Sequence, residues 1–338
     1  MYLKPTYKLF KVMTETLSIN NFPKPAGTSK KHELIPDFLI IGAGKSGTTS
    51  LDKYLNQHPQ IFIPGMKEPN FFGYENTKIE DLGNDADEIR HYTHSVTSLE
   101  EYLRLFADAK PEQIKGETSN TYMYHRDAPE RIHHYNPKMK LIAVLRQPAN
   151  RLYSSHLHLA RDNRTPTSSF ADCLDRDSIW WQRNDLVTEG FYFKNLSPFY
   201  RLFPKQQIKV YLYEELNNQP EQVLEDICRF LGVDPSFKPD VSVRYNQSGI
   251  VKNKFLDKIY GQKGIVNRTV KALLPDALLD KVKNNVVIQR TVNDLRGKNL
   301  SRPRMDPKVK EALTRQVYGD DIRQLQTLIG RDLEHWLK

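Results

Sequence analysis

The sequence has little cysteine and no long apolar run, and each shortage argues against a class of protein. Its two cysteines, Cys173 and Cys228, lie far apart and outside any CxxC or Cys/His spacing. They predict ordinary thiols in a reducing cytosol, not a disulfide framework or a structural zinc site. No window approaches the roughly 18 apolar residues that a membrane-spanning helix needs. The first twenty residues also lack the apolar core of a signal peptide. We therefore expect a cytoplasmic protein without a transmembrane segment.

What the chain does contain is enough apolar sequence for a folded core. Hydrophobic residues make up 38% and aromatic residues 10% of the 338 positions, and a chain of this length can bury a full core without disulfides. The formal net charge of +9 predicts an anionic partner. A nucleotide, a nucleic acid and a membrane surface would all satisfy that charge.

Short apolar runs alternate with helical patterns along the chain. Buried strands are predicted at residues 36–42, 60–63, 140–145 and 208–213. Helices are predicted at residues 48–57, 98–109, 128–135 and 220–231, and Pro148 occupies the first turn of another. Strands that alternate with helices predict an α/β fold, a single three-layer domain around a central parallel sheet.

Two parts of the chain stand apart from this alternation. Residues 1–33 are polar and mixed, which favours a disordered N-terminal extension, and residues 34–338 then form the folded domain. Within that domain, residues 251–305 are strongly basic, with Lys252, Lys254 and Lys258 near their start. We interpret them as a mostly helical, cap-like insertion.

A glycine-rich segment, GAGKSGTTS at residues 42–50, lies between the first predicted strand and the first predicted helix. A strand, a tight turn and a helix N-terminus together present backbone N–H groups to a phosphate, as in P-loops. Lys45 adds a positive charge, and hydroxyl groups add hydrogen-bond donors. The residues predicted to bind nucleotide phosphates here are Gly44, Lys45, Ser46, Gly47, Thr48, Thr49 and Ser50.

A P-loop kinase or ATPase is the main alternative for this segment. The Walker A motif requires a glycine five residues before Gly44, where the sequence has Leu39. The triphosphate enzymes also place an aspartate after a later apolar strand to hold Mg²⁺, whereas Arg146 follows the strand at 140–145. Both departures disfavour ATP and predict a site without a metal.

The glycine-rich segment and a second segment resemble one enzyme family. IIGAGKSGTTSL is similar to the 5′-phosphosulfate loop of sulfotransferases that use 3′-phosphoadenosine 5′-phosphosulfate (PAPS). VLRQPANRLYSSHLH, residues 144–158, resembles their 3′-phosphate motif, in which an arginine at the strand end and a serine eight residues later grip the 3′-phosphate. The resemblance implies this role for Arg146 and Ser154. It also implies a transferase of EC 2.8.2 type, which releases 3′,5′-adenosine bisphosphate.

The segment Lys67-Glu68-Pro69-Asn70-Phe71-Phe72 resembles an element of the heparan-type and many bacterial members, in which the glutamate is the general base. The resemblance implies that Glu68 takes the acceptor proton while Lys45 stabilises the leaving phosphate. Glu117 is a second candidate, because the family usually has an acidic residue there on the acceptor side. It would orient the acceptor, assist the base or pair with Lys115.

Later segments also resemble the family and imply three further nucleotide contacts: Tyr192, Arg244 and Lys252. The histidines at positions 58, 125, 156 and 158 are interpreted as structural or surface residues. The Lys-Glu-Pro-x-Phe-Phe element favours a hydroxyl or amine on a saccharide, a lipid or an acyl chain over a small phenol. A basic, non-catalytic nucleic-acid binder is the remaining alternative, but no interleaved aromatic pattern supports it.

Overall fold

The computed structural model describes residues 34–82, 86–242, 245, 249–253 and 298–338. Residues Ile35–Lys338 form one unit with the predicted α/β architecture. The predicted extension at 1–33 and most of the predicted insertion at 251–305 lie outside the described residues. In the part of the chain that is described, no helix is long and apolar enough to cross a membrane.

A parallel sheet forms the centre of this unit. Among the described residues its strands are β1 (Phe38–Gly42), β2 (Ile61–Phe62), β3 (Ile114–Thr118), β4 (Lys140–Leu145) and β5 (Ile208–Leu212). Their order is β2-β3-β1-β4-β5, and every neighbouring pair is parallel. A separate antiparallel ladder joins β6 (Ile250–Val251) to β7 (Leu300–Ser301).

Helices connect and flank the strands. The α-helices are α1 (Thr48–Leu55), α2 (Phe71–Tyr74), α3 (Ala86–Thr93), α4 (Leu99–Arg104), α5 (Ala128–Tyr135), α6 (Pro148–Arg161), α7 (Ile179–Gln182), α8 (Tyr192–Leu202), α9 (Tyr213–Asn218), α10 (Pro220–Leu231), α11 (Pro307–Ala312) and α12 (Gly319–Ile329). Short 3₁₀ turns lie at Ile79–Leu82, Asn120–Met123, Phe170–Leu174, Thr188–Gly190, Lys205–Gln207 and Glu334–Leu337, and a π-helical turn at Leu313–Val317.

Both faces of the central sheet are covered. Every residue of β1, and every residue of β4 except Lys140, is buried. Phe38 and Ile40 belong to a core cluster with α1 and α10, while Leu39 and Ile41 are equally buried. Because successive side chains of a strand point to opposite faces, burial at every position requires helices on both sides. The three-layer arrangement predicted from the sequence is therefore confirmed.

Strand β3 is not predicted by its own sequence, IKGET, because a lysine, a glycine and a glutamate interrupt the apolar pattern. Gly116 lies against β1, where a Cβ would come within 2.2 Å of the Phe38 ring. This close approach explains why a glycine occupies the middle of the strand. Since parallel strands end at the same edge, β3 brings residues 117–121 beside the loop that follows β1.

Candidate active site

The loop after β1 turns sharply into α1. Lys45 has a φ of 64° and Gly47 a φ of 94°, both in the left-handed region that favours glycine. Gly47 is the N-cap of α1. A glycine has no side chain to accept hydrogen bonds from the first N–H groups of the helix, which suits those groups to bind an anion.

A cavity of about 590 Å³ opens beside this loop, a size typical of small-molecule sites. The described residues of its wall include more basic than acidic side chains. The basic ones are Lys45, Lys67, Arg90, Arg146, Arg161, Arg164 and Arg302, and the acidic ones are Glu68, Asp185 and Glu189. This excess of positive charge favours an anionic ligand.

Most of the loop residues predicted from the sequence reach the cavity wall. They are Gly44, Lys45, Gly47, Thr48, Thr49 and Ser50. Ser46 is fully buried and does not form part of the wall. Burial, together with the positive charges of Arg161 and Lys67, lowers the pKa of Lys45 to about 8. An anion bound beside this ammonium would therefore stabilise its charge.

Arg146 follows β4 and lines the same cavity. Its Nη1 donates a hydrogen bond to the backbone oxygen of Lys45 over 3.2 Å, and its guanidinium lies 4.6 Å from the centre of the Tyr213 ring. The hydroxyl of Tyr192 donates to the backbone oxygen of Arg146 over 2.8 Å. These contacts hold the guanidinium beside the loop after β1, where a bound anion could accept from it.

Helix α6 places further polar groups in the wall. Ser154 is nearly buried and is not among the lining residues, whereas Ser155 is. His158, interpreted from the sequence as structural or surface, also lines the cavity, and its Nδ1 lies 2.7 Å from Nη2 of Arg161. Burial lowers its pKa to about 3, so the ring is neutral near pH 7. His158 and Arg161 are three residues apart and so share a helix face, a signal that the sequence did carry.

Glu68 shares the cavity with Lys45, and its side chain is 40% exposed. Asn120 Nδ2 donates to its Oε1 over 2.9 Å, and the ammonium of Lys67 lies 3.6 Å from the same oxygen. The backbone N–H of Glu68 donates to the Thr118 carbonyl over 3.2 Å. The end of β3 and the turn after it therefore position this carboxylate.

Glu117, predicted to lie on the acceptor side, is not part of the cavity wall. It is 1% exposed and lies in the core, outside the cavity wall. Three hydroxyl groups donate to its carboxylate: Tyr122 over 2.6 Å, Ser119 over 2.8 Å and Tyr102 over 3.2 Å. Burial raises its pKa to about 7 although these hydrogen bonds lower it. The structure therefore places Glu117 as a support for β3, with no direct contact to the cavity.

Two of the three remaining predicted nucleotide contacts, Tyr192 and Lys252, do not form part of the cavity wall. Tyr192 is fully buried and contacts the backbone of Arg146. Lys252 is exposed beside the β6–β7 ladder, where its N–H donates to the Asn299 carbonyl over 2.8 Å. Arg244 lies outside the described residues.

Comparison with known proteins identifies the family. A family model described as "Sulfotransferase family" matches residues 36–238, which is more than half of the chain. The chain belongs to the sulfotransferase family. Membership implies a PAPS-type donor and an acceptor, as the resemblance indicated.

Several named sulfotransferases are similar to this chain. Heparan sulfate glucosamine 3-O-sulfotransferase 5 of Homo sapiens is 27% identical over 60% of this chain and 56% of its own length. Bifunctional heparan sulfate N-deacetylase/N-sulfotransferase 3 of Mus musculus is 25% identical over 62% of this chain and 23% of its own. The chain thus spans about half or less of these relatives. A solved sulfotransferase from Alicyclobacillus acidocaldarius is 28% identical, with a TM-score of 0.65, over 90% of this chain and 99% of that one.

The described residues of the sulfotransferase site fit a donor of this kind. Lys45 and Arg146 are neighbouring positive residues, and Nη1 of Arg146 donates a hydrogen bond to the backbone oxygen of Lys45. Tyr213, Leu216 and Tyr245 add aromatic and apolar surface to the same wall. A nucleotide needs both a cationic and an apolar surface.

Glu189 is a wall residue that the sequence did not predict. It lies in the turn Thr188–Gly190 and is 3% exposed. Its Oε1 accepts the Gly44 N–H over 2.6 Å, and its Oε2 accepts from Arg151 Nη1 over 2.6 Å. Burial raises its pKa to about 7, although Arg151 and the Gly44 N–H lower it. No motif marks this glutamate, since its partner lies 145 positions away.

Proposed function

We propose that this sulfotransferase transfers the sulfuryl group of PAPS to a hydroxyl or amine of a saccharide. The observation that carries the proposal is that Lys45 and Glu68 line one cavity. The relatives named above are heparan sulfate enzymes, which favours a saccharide over the lipid and acyl-chain acceptors that the sequence also allowed.

Sulfuryl transfer by in-line displacement needs a base on the attacking side and positive charge on the leaving side. Glu68, oriented by Asn120, takes the proton of the acceptor hydroxyl or amine. Lys45 stabilises the negative charge that develops on the oxygen between sulfur and the leaving adenosine bisphosphate. Arg146, fixed by Tyr192 and Tyr213, binds the 3′-phosphate.

In this proposal cationic side chains neutralise the phosphate charge that Mg²⁺ neutralises in the triphosphate enzymes. We therefore keep the prediction that the reaction needs no metal, and Arg146 stands where those enzymes place a metal-binding aspartate. The cytoplasmic location also remains a prediction from the sequence.

Transfer of label from radiolabelled PAPS to a panel of oligosaccharides, lipids and acyl-chain alcohols tests this function. Calorimetry of 3′,5′-adenosine bisphosphate and ATP, with and without Mg²⁺, accompanies it. We expect label in a saccharide and tight, metal-independent binding of adenosine bisphosphate. Preference for Mg-ATP would support a kinase or ATPase instead, and RNA binding without any turnover would support the nucleic-acid binder.

Replacing Glu68 by glutamine removes the proposed base but keeps the size of the side chain. We expect kcat to fall by about 10² to 10⁴-fold, while affinity for adenosine bisphosphate changes by about twofold or less. Glu80→Gln, an exposed change outside the cavity wall, is the matched control and should leave turnover intact. Normal turnover by Glu68→Gln would rule out this glutamate as the base.

A further inference from the structure

A carboxylate hydrogen-bonds directly to the backbone of the phosphate loop, the glycine-rich segment 42–50 that follows β1. Oε1 of Glu189 and the amide nitrogen of Gly44 are 2.6 Å apart. A Cβ on Gly44 would meet the same oxygen at 2.9 Å, so a larger residue at position 44 would force this carboxylate to shift. The contact therefore depends on the small size of the residue at position 44 as well as on the glutamate.

The second oxygen of this carboxylate is also engaged. Oε2 of Glu189 lies 2.6 Å from Nη1 of Arg151, whose side chain is fully buried. Arg151 also donates to the backbone oxygens of Leu186 and, over 3.4 Å, of Asp185. The pair thus joins the loop after β1 to α6 and to the turn that carries Glu189.

A negative charge is unexpected in the wall of an anion site. It opposes the binding of a phosphosulfate, and burying an ion pair costs more than burying apolar groups of similar size. Glu189 also occupies the Gly44 N–H, which then cannot donate to a ligand. The arrangement is explained if Glu189 acts on the shape of the loop instead of on the donor.

The shape that matters is the turn at the next residue. Lys45 adopts a left-handed φ of 64°, which is unfavourable for a residue with a side chain and persists only where the surroundings hold it. The Glu189 contact holds the Ala43–Gly44 peptide, one residue before this turn. On the other side, the Lys45 carbonyl accepts from Arg146.

We propose that Glu189, held by Arg151, is a positioning residue that fixes the phosphate loop at Gly44 and so directs the Lys45 ammonium toward the reacting group. This role rests on the proposed sulfuryl transfer and adds a residue that neither the motifs nor the family comparison assigns.

A double-mutant cycle tests whether Glu189 acts through Lys45. In Glu189→Gln one amide replaces two acceptor oxygens, so either Gly44 or Arg151 loses its partner. We expect kcat/KM for PAPS to fall about 10 to 100-fold in the wild-type background, as small misplacements of a reacting group do. In the Lys45→Ala background the same change should cost about threefold or less. Equal losses in both backgrounds would overturn the proposal.

A second measurement does not depend on turnover. A short hydrogen bond to a carboxylate shifts an amide proton downfield, so spectra of glycine-labelled protein should show a downfield Gly44 resonance that moves upfield in Glu189→Gln. An unchanged Gly44 resonance would overturn the proposal. Asp226→Asn is the control for general destabilisation, since Asp226 accepts from Lys209 Nζ and the Tyr211 hydroxyl on β5, away from the cavity wall. It should lower stability without changing kcat/KM.

The two proposals fail in different ways. If the wild-type protein transfers sulfuryl groups and the cycle is additive, only the role of Glu189 is wrong. If the wild-type protein neither turns over PAPS nor binds adenosine bisphosphate, the proposed function fails and the positioning role fails with it. If the wild-type protein binds adenosine bisphosphate without turning over PAPS, the double-mutant cycle is measured on the affinity for adenosine bisphosphate. Equal losses in the two backgrounds would again overturn the role of Glu189.

Discussion

The ammonium of Lys45 lies in a cavity where burial and the charges of Arg161 and Lys67 disfavour its protonation. Bringing a donor with several negative charges beside it reverses that balance. Much of the free energy of donor binding should then come from the interaction of the donor with Lys45, because the charge is poorly stabilised in its absence.

The pH dependence of kcat/KM for PAPS should report this lysine. The pKa of Lys45 is about 8 in the free protein, and its cationic form is the one that binds anions. Activity should therefore fall as pH rises through that value, since kcat/KM follows the ionisation of the free enzyme. A pH profile between 6.5 and about 9.5, with saturating acceptor, measures the effect.

Lys45→Arg provides the control, because a guanidinium keeps its charge over this whole range. Its activity will be lower, since arginine differs in shape, but the fall above neutral pH should disappear. A fall that persists unchanged in Lys45→Arg would assign the titration to another group.

Sequence motifs predicted residues defined by their backbone context, such as Lys45 after the glycine turn and Arg146 at a strand end, and both line the cavity. The motifs did not show how deeply each side chain is buried. Glu117 is a carboxylate, the kind of group that could orient an acceptor, yet three hydroxyl groups hold it in the core. Glu189 is a wall residue because of a contact with Gly44, and such long-range pairings are not visible in one sequence.

At the scale of elements, apolar runs predicted β1, β2, β4 and β5 within two residues at either end. They failed for β3, because its polar residues are satisfied by partners from elsewhere in the chain. The order of the strands was also beyond the sequence, since parallel strands of similar composition are interchangeable until their crossovers are known.

Gln147 joins three elements and carries a prediction at this scale. Its Oε1 accepts from the Asn150 N–H at the start of α6, and its Nε2 donates to Thr314 and to the Trp336 carbonyl. Gln147→Ala removes a helix cap and leaves buried partners unsatisfied. We expect the free energy of unfolding to fall by about 2 to 3 kcal/mol.

Urea unfolding followed by circular dichroism measures that change. Gln324→Ala is a matched control, because this glutamine is exposed on α12 and donates to the Asp320 carbonyl of its own helix. It should change stability by about 0.5 kcal/mol or less. Equal effects of the two substitutions would show that Gln147 does not connect β4, α6 and the C-terminal residues energetically.

At the scale of the whole molecule, the alternation of strands and helices was sufficient to predict the fold class, and the charge was sufficient to predict an anionic ligand. The structure adds where that charge acts. The chain carries a formal net charge of +9, and among the described residues that line one cavity, basic side chains outnumber acidic ones seven to three. A cavity with low-dielectric walls concentrates the field of its charges at its mouth.

Binding of adenosine bisphosphate should therefore weaken as salt is added. The Debye length falls from about 10 Å at 0.1 M to about 3 Å at 1 M salt, so charges that are not in direct contact with the ligand are screened. We expect the affinity to fall about tenfold or more over this range, mostly through a slower association rate. Stopped-flow binding at increasing salt measures it. Adenosine, which has the same base but no phosphates, is the control. Equal salt dependence for both ligands would mean that the cavity binds the base alone and that its positive charges serve another purpose.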